Sequence, residues 1–450
     1  MSISERFLKV AQNALPMPMT IAVILTVVVA FICLFMPLDA AQIQNTGEWK
    51  ILSVLSFWEK GIWELLAFSM QMVLILVLGH SLSLSPPVNR LISTLVKTCN
   101  NTSRAVVIVA IATMLVSFLN WGLGLIFGSI LARKVGEKAS NEGIAINYAL
   151  IGAAGYSGFM IWHGGFSGSA PLKASETGHF LESTIGIIDV SQTLLSPMNL
   201  ISFMLVLIAV PTLLFYLGKT GKKIIPSFSS SQEKEQETKI EGAEKLDHSK
   251  VLGIGFGLVI ISFGIYKALT SGGTGLSFLQ LNFINFLLLG LGLIFHGSLY
   301  KYVKAVNSAV GGSAGIIIQF PIYAGIMGIM KYSGMVNEIS QFFLSISNET
   351  TLPVLTFFSA ALVNVFVPSG GGQWAIQGPI ITQAALEMGA SIPKNIMALA
   401  YGDQITNMIQ PFWALPLLGI TQLKAKDLLP YTFLMMLVGV VIFVGMLLIF

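Results

Sequence analysis

Two stretches decide the fold: Leu119-Asn120-Trp121-Gly122-Leu123-Gly124, and Val363-Asn364-Val365-Phe366-Val367-Pro368-Ser369-Gly370-Gly371-Gly372-Gln373-Trp374. Each lies inside a long charge-free run, the first between Arg104 and Arg133, the second between Glu349 and Glu387. A membrane span needs about 20 apolar residues, so runs of this length read as membrane-embedded. Neither centre suits a straight helix. Asn and Gly make the first a turn, and a Pro followed two residues later by a glycine triplet stops the second. Lys and Arg stay on the cytoplasmic side. If the first run crossed the membrane, either Arg104 or the Arg133-Lys134 pair would be stranded outside. A re-entrant hairpin near 105–132, entering from the cytoplasm, keeps both inside. A second hairpin near 350–386, entering from outside, keeps Lys424 and Lys426 cytoplasmic.

Composition agrees. The chain of 450 residues is 54% hydrophobic and 10% charged, whereas soluble chains carry about 25% charged residues. Ten of the charges crowd into 227–250. Water cannot solvate so uncharged a surface, which excludes a soluble enzyme. A balance of +4 without a basic stripe excludes a nucleic-acid partner. Cys33 and Cys99 cannot build a disulfide framework or a Cys-rich metal site. Arg6 and Lys9 before the first apolar run suggest a signal peptide. Its long apolar core and the poor cleavage site at Leu38-Asp39-Ala40 favour a retained helix.

The remaining runs lie at 9–39, 64–90, 142–173, 189–219, 250–267, 267–301, 304–331, 394–424 and 427–450. They predict an all-α integral membrane protein with about nine transmembrane helices and two re-entrant hairpins. With the N-terminus cytoplasmic and the C-terminus external, 19 of the 25 basic residues fall inside. The halves repeat. Asn120 precedes Asn364 by 244 residues, Tyr156 precedes Tyr401 by 245, Pro171 precedes Pro416 by 245, and Gln71 precedes Gln319 by 248. Opposite starting sides make this an inverted repeat, a secondary-transporter signature with the substrate site at mid-membrane. The expected organisation is an N-terminal helix and external loop (1–61), a first repeat (62–218), a solvated cytoplasmic linker (219–250), connecting helices (251–304) and an inverted second repeat (305–450).

Unpaired backbone at membrane depth is tolerated only where protein buries it or where it lines a cavity. Helix N-termini there favour an anion, and carbonyls or carboxamides suit a hard cation. Asn120 and Asn364 hold equivalent places in the repeats, where they either serve ion and substrate or merely stabilise a turn. Ser369, Gly370, Gly371 and Gly372 could cradle an anion or form a plain turn. Trp121, Gly122 and Gln373 flank the tips as further substrate candidates. Two spans look interrupted, 156–169 around His163, and Tyr401-Gly402-Asp403-Gln404-Ile405-Thr406-Asn407. Asp403 is the single acid between Lys394 and Lys424, and an ionised Asp at mid-span costs roughly 2.5–3.5 kcal/mol. It could hold Na⁺, carry a proton, or pair with a shallow neighbour. Thr406 and Asn407 join it as ion-coupling candidates. His163 could donate to a carboxylate, take a proton, or simply pack. Trp121, Trp374, Phe412 and Trp413 could wall a pocket or simply pack. The 311–315 segment matches G-x-S-x-G, but no strand precedes it, so chance explains it.

At 119–124, 162–165, 363–374 and 401–404 the sequence resembles the short-chain fatty acid transporter family (AtoE type), over essentially the whole chain. The resemblance implies uptake of small monocarboxylates such as acetoacetate or butyrate across the bacterial inner membrane. The family is related to the ion-transporter superfamily, which implies a homodimer whose transport domain, with two hairpins, moves as an elevator. Superfamily members that bind dicarboxylates often carry Ser-Asn-Thr at the tips. Here only Asn120 and Asn364 match that pattern.

The expected activity is therefore symport of short monocarboxylates with Na⁺ or H⁺ and no other cofactor. A membrane-embedded enzyme using His163 with Ser167 or Ser169 on an acyl group is the rival class, and a passive channel is a third option.

Overall fold

A computed structural model describes residues 16–36, 50–64, 66–220, 222–228, 242–270 and 281–450. Arg6, Lys9, Leu38-Asp39-Ala40, the first part of the expected external loop (to residue 49) and linker residues 229–241 lie outside it. Among the described residues there is no strand, only an isolated bridge between Ile146 and Ile224. Among the described residues, seven helical stretches are long and apolar enough to cross a membrane: Pro18–Phe35, Leu66–Leu84, Thr102–Leu119, Pro197–Thr220, Lys250–Thr270, Leu299–Tyr332 (two helices joined by a 3₁₀ turn) and Ala425–Ile449. Asn282–His296, Leu352–Phe366 and Pro411–Thr421 are shorter and apolar. Lys250–Thr270 leaves Val251, Val259 and Leu269 exposed.

The same succession of elements occurs twice. A helix (Lys50–Glu64 or Leu299–Val310) leads into a long one (Leu66–Leu84 or Ala314–Tyr332) and then a short amphipathic one (Pro86–Lys97 or Met335–Ser345). Two helices joined by a tight turn follow: Thr102–Leu119 with Trp121–Asn141, or Leu352–Phe366 with Gly370–Met388. Next comes a segment broken by 3₁₀ turns, and last a long helix, Pro197–Thr220 or Ala425–Ile449. The halves exchange contacts reciprocally. Lys50–Glu64 packs on Ala314–Tyr332, and Leu299–Val310 packs on Leu66–Leu84. The first of these seams is very close. A Cβ on Gly328 would stand 2.4 Å from the Phe57 carbonyl and 2.6 Å from Gly61 Cα. Residues 50–64, read from sequence as part of an external loop, are helical because their apolar face meets this seam.

The breaks differ from expectation in one place. The first interruption falls where expected, with 3₁₀ turns at Ser157–Met160 and Trp162–Gly164. In the second, Tyr401 to Thr406 remain α-helical, and the break comes later, at Asn407–Ile409 and the extended Gln410. Pro411, which lacks an N–H, starts the next helix there.

Candidate functional site

The first tip is the single residue Asn120. Its extended backbone (φ −155°, ψ 127°) ends one helix and begins the next, and its side-chain oxygen caps the new helix by accepting from the Leu123 N–H at 3.0 Å. The Trp121 N–H donates to Ser167 Oγ at 3.0 Å, and the Phe166 N–H donates to the Phe118 carbonyl at 2.8 Å. The tip is thereby docked on the far end of the first broken segment.

The second tip, Val367-Pro368-Ser369, begins its new helix with Ser369, whose hydroxyl accepts from the Gly372 N–H at 3.2 Å. The capping role of Asn120 therefore passes to Ser369, and Asn364 does something else. Its Nδ2 donates to the Asp403 carbonyl at 2.6 Å, Asn407 Oδ1 at 2.7 Å and Thr406 Oγ1 at 3.0 Å. Its own carbonyl accepts from the Gln410 side-chain amide. One residue clamps the hairpin to the second broken segment, its carboxamide up to the start of the break and its backbone carbonyl just past it. The two asparagines, equivalent in the sequence repeat, are not equivalent in role.

Both broken segments meet at a buried ion-pairing geometry. His163 Nδ1 lies 2.7 Å from Asp403 Oδ2, with both side chains almost fully buried. The Ala170 N–H donates to His163 Nε2 at 3.1 Å, so Nε2 is the acceptor and the ring proton sits on Nδ1, facing Asp403. The His163 N–H also donates to Gln404 Oε1 at 2.9 Å. The second hairpin roofs this pair. A Cβ on Gly370 would lie 2.8 Å from His163 Cε1, 3.0 Å from the Trp162 ring and 3.3 Å from Asp403 Oδ2. Only glycine permits that approach.

Several polar atoms here are buried without partners: Asp403 Oδ1, Asn364 Oδ1, Gln410 Oε1, Gln404 Nε2 and Asn407 Nδ2. Since native interiors satisfy most buried polar groups, such a cluster suits a small ligand. Among the described residues no Lys or Arg is buried, so the carboxylate of Asp403 is the one buried charge-bearing group beyond the histidines.

The other expected site residues are distributed unevenly. Trp121 joins Trp162, Phe159 and Trp413 in an aromatic cluster with centroid separations of 6.0, 6.2 and 5.1 Å from its own ring. Gly122 is buried behind it. Gly371 has only Ser169 Oγ within 4.0 Å of a hypothetical Cβ, so the close approach belongs to Gly370. Gln373 turns into its own hairpin, donating to the Ala360 carbonyl at 2.8 Å and Gln377 Oε1 at 2.7 Å. Trp374 packs near Phe180, apart from the aromatic cluster. Sequence reasoning missed three residues. Asn199 bonds the Gly164 carbonyl at 2.8 Å and accepts from the Tyr401 hydroxyl at 2.9 Å, tying the two broken segments together. Gln410 and Trp162 complete the set. Asn199 and Gln410, polar residues in apolar runs, were the visible signal. The 311–315 serine is spent on the Val310 carbonyl at 2.7 Å.

The family model for short chain fatty acid transporters matches residues 1–450. A relative in Escherichia coli K12, named "Putative short-chain fatty acid transporter", is 36% identical over 449 residues, covering 98% of each chain. One of the same name in Haemophilus influenzae is 36% identical over 435 residues, covering 93% of this chain and 92% of its own. Among solved structures, the Alcanivorax borkumensis YdaH transporter aligns over 96% of this chain and 98% of its own, with TM-score 0.44 and 15% identity. The chain belongs to the short-chain fatty acid transporter family and is a multi-pass membrane protein. The family is one of transporters, not enzymes.

Proposed function

We propose that this member of the short-chain fatty acid transporter family imports monocarboxylates of the acetoacetate and butyrate class together with a small cation, Na⁺ or a proton. The observation that carries the reading is the charge inventory of the site. It buries an Asp403 with an unpartnered oxygen and, among the described residues, no Lys or Arg. A substrate carboxylate placed near it would meet like charge. A cation at Asp403 Oδ1, with the free oxygens of Asn364 and Gln410 and the neighbouring Thr406 and Asn407, removes that repulsion. Anion and cation then bind cooperatively without a lysine or arginine.

The substrate's donors in this reading are neutral. The first-turn N–H groups of Gly370 and Gly371 have no acceptor within their helix. Asn120, Ser369 and Gly372 shape the tips, and His163 orients Asp403. Each buried methylene of the tail contributes about 0.8 kcal/mol. The chain has nine spans in this scheme: the long helices other than Thr102–Leu119, the 281–296 helix and the two broken segments. The two hairpins are re-entrant. The N-terminus is cytoplasmic and the C-terminus external, in a bacterial inner membrane. Two copies form a homodimer whose hairpin-bearing parts move as elevators against the rest.

The test is uptake of labelled butyrate into proteoliposomes with Na⁺ and pH gradients imposed separately. Accumulation should follow one gradient. Butyrate movement that follows neither and does not saturate would identify a passive pore instead.

A further inference from the structure

We infer that the indole N–H groups of Trp162 and Trp413 are the side-chain donors that receive the substrate's carboxylate, and that Trp121 and Phe159 form the wall that limits tail length. The inference rests on the monocarboxylate reading above and names the subsite within it.

The first observation is a shortage of positive charge. A buried carboxylate needs hydrogen-bond donors, and no Lys or Arg is buried among the described residues. The donors must be neutral N–H or O–H groups. The second observation is which of these are free. Near the broken segments the unpartnered buried side-chain nitrogens include Gln404 Nε2, Asn407 Nδ2, Trp162 Nε1 and Trp413 Nε1, with Trp374 Nε1 in the separate group around Phe180. The two carboxamides are held with their oxygens on the His163 N–H and on Asn364 Nδ2, so their free nitrogens belong to the polar cluster around Asp403. An indole has a donor and no acceptor, and no rotation satisfies it. Trp162 and Trp413 are 4% exposed, so bulk solvent does not reach them. Two donor-only groups left unpaired in one cluster await an acceptor.

The third observation is convergence. Trp162 comes from the first broken segment, Trp413 from the second, and both rings pack against Trp121 just past the first tip, at 6.0 and 5.1 Å. Phe159 closes the group at 5.4 Å from Trp413 and 6.2 Å from Trp121. Trp162 also stacks on His163 at 4.4 Å, so a carboxylate held by its N–H would lie beside the His163–Asp403 pair and its cation. Rigid aromatic walls fit a tail of few carbons and exclude a long one.

Purified protein with ¹⁵N-tryptophan has seven indole N–H signals. Butyrate should shift the two that vanish in Trp162→Phe and Trp413→Phe. In titrations with acetate, butyrate and hexanoate, each Phe variant should weaken binding of all three acids about tenfold or more, as loss of a hydrogen bond to a charge does. Trp121→Leu should instead move the preference toward hexanoate, an effect that a merely structural role would not produce. Trp58→Phe, on the Lys50–Glu64 helix outside the cluster, should bind as wild type. Wild-type binding of butyrate with unmoved Trp162 and Trp413 signals would overturn the inference and spare the transport reading. Absence of any monocarboxylate binding by wild type would sink the transport reading itself.

Discussion

His163 Nδ1 stands 2.7 Å from Asp403 Oδ2, across 240 residues of chain, and the free second oxygen of Asp403 faces no partner. The Ala170 N–H already occupies His163 Nε2, so an extra proton there would set two donors against each other. The lone pair left open for a cation is on Asp403. Asp403→Asn keeps the shape and the histidine contact but removes the charge. Gradient-driven butyrate accumulation should fall about 5- to 150-fold, the usual size of a coupling free energy. Butyrate exchange at equal concentrations should survive. Undiminished accumulation would move the coupling site elsewhere.

Asn364 and Asn120 should not behave alike. Asn364→Ala strips partners from a buried carbonyl, a hydroxyl and a carboxamide, at about 1–3 kcal/mol for each group left unsatisfied. Asn120→Ala loses a helix cap, worth about 1 kcal/mol. Melting in detergent should show the larger drop for Asn364→Ala, and counterflow should be lost in it but measurable in Asn120→Ala. Equal losses would restore the symmetric roles suggested by the sequence repeat.

Gly370→Ala should abolish uptake, because its Cβ would stand 2.8 Å from His163 and 3.0 Å from the Trp162 ring, both buried and stacked. Gly371→Ala meets nothing nearer than 4.0 Å and should transport normally. Uptake assays at matched expression read both, and the reverse order would contradict the packing of the second tip.

Cysteine introduced at Ser227 or Phe450, after replacement of the buried Cys33 and Cys99, tests the topology. Position 227 should react with an impermeant maleimide only from the cytoplasm, and position 450 only from outside. Cytoplasmic labelling at 450 would remove the inverted arrangement.

Lys331 pairs with Glu64 at 3.0 Å, with side chains 41% and 28% exposed. Pairs of that kind contribute about 0–1 kcal/mol. Lys331→Ala should therefore leave butyrate uptake within error of wild type, and a large loss would bring the Glu64–Lys331 seam into the transport machinery.

What could be read from the chain alone is local. Long charge-free runs mean membrane helices wherever they occur, because lipid excludes unpaired charge. Asn120 and the 368–372 segment mark turns because Asn, Pro and Gly act on their own backbone. Asp403 and His163 stood out as polar groups in apolar runs. The two tips and both interruptions were legible for that reason, although the second break lies at the far end of the Tyr401–Asn407 stretch, at Asn407 to Gln410, and not within it.

Partnership was not legible. Whether Asp403 meets His163, whether Asn364 clamps or caps, and whether Gly370 or Gly371 touches the roofed pair depend on how each helix is rotated about its axis. That rotation is set by close packing between elements far apart in sequence, such as Gly370 against Trp162 and Gly328 against Gly61. Gln373 illustrates the limit. Its place beside a glycine triplet suggested a ligand, but one helical turn carries it inward to the Ala360 carbonyl. The sequence by itself determined a membrane chain with two interrupted halves and polar groups at the interruptions, since those follow from solvation and backbone chemistry. Only the tertiary structure decided which of those groups share one site, since contacts across 240 residues are chosen by packing and by no local rule.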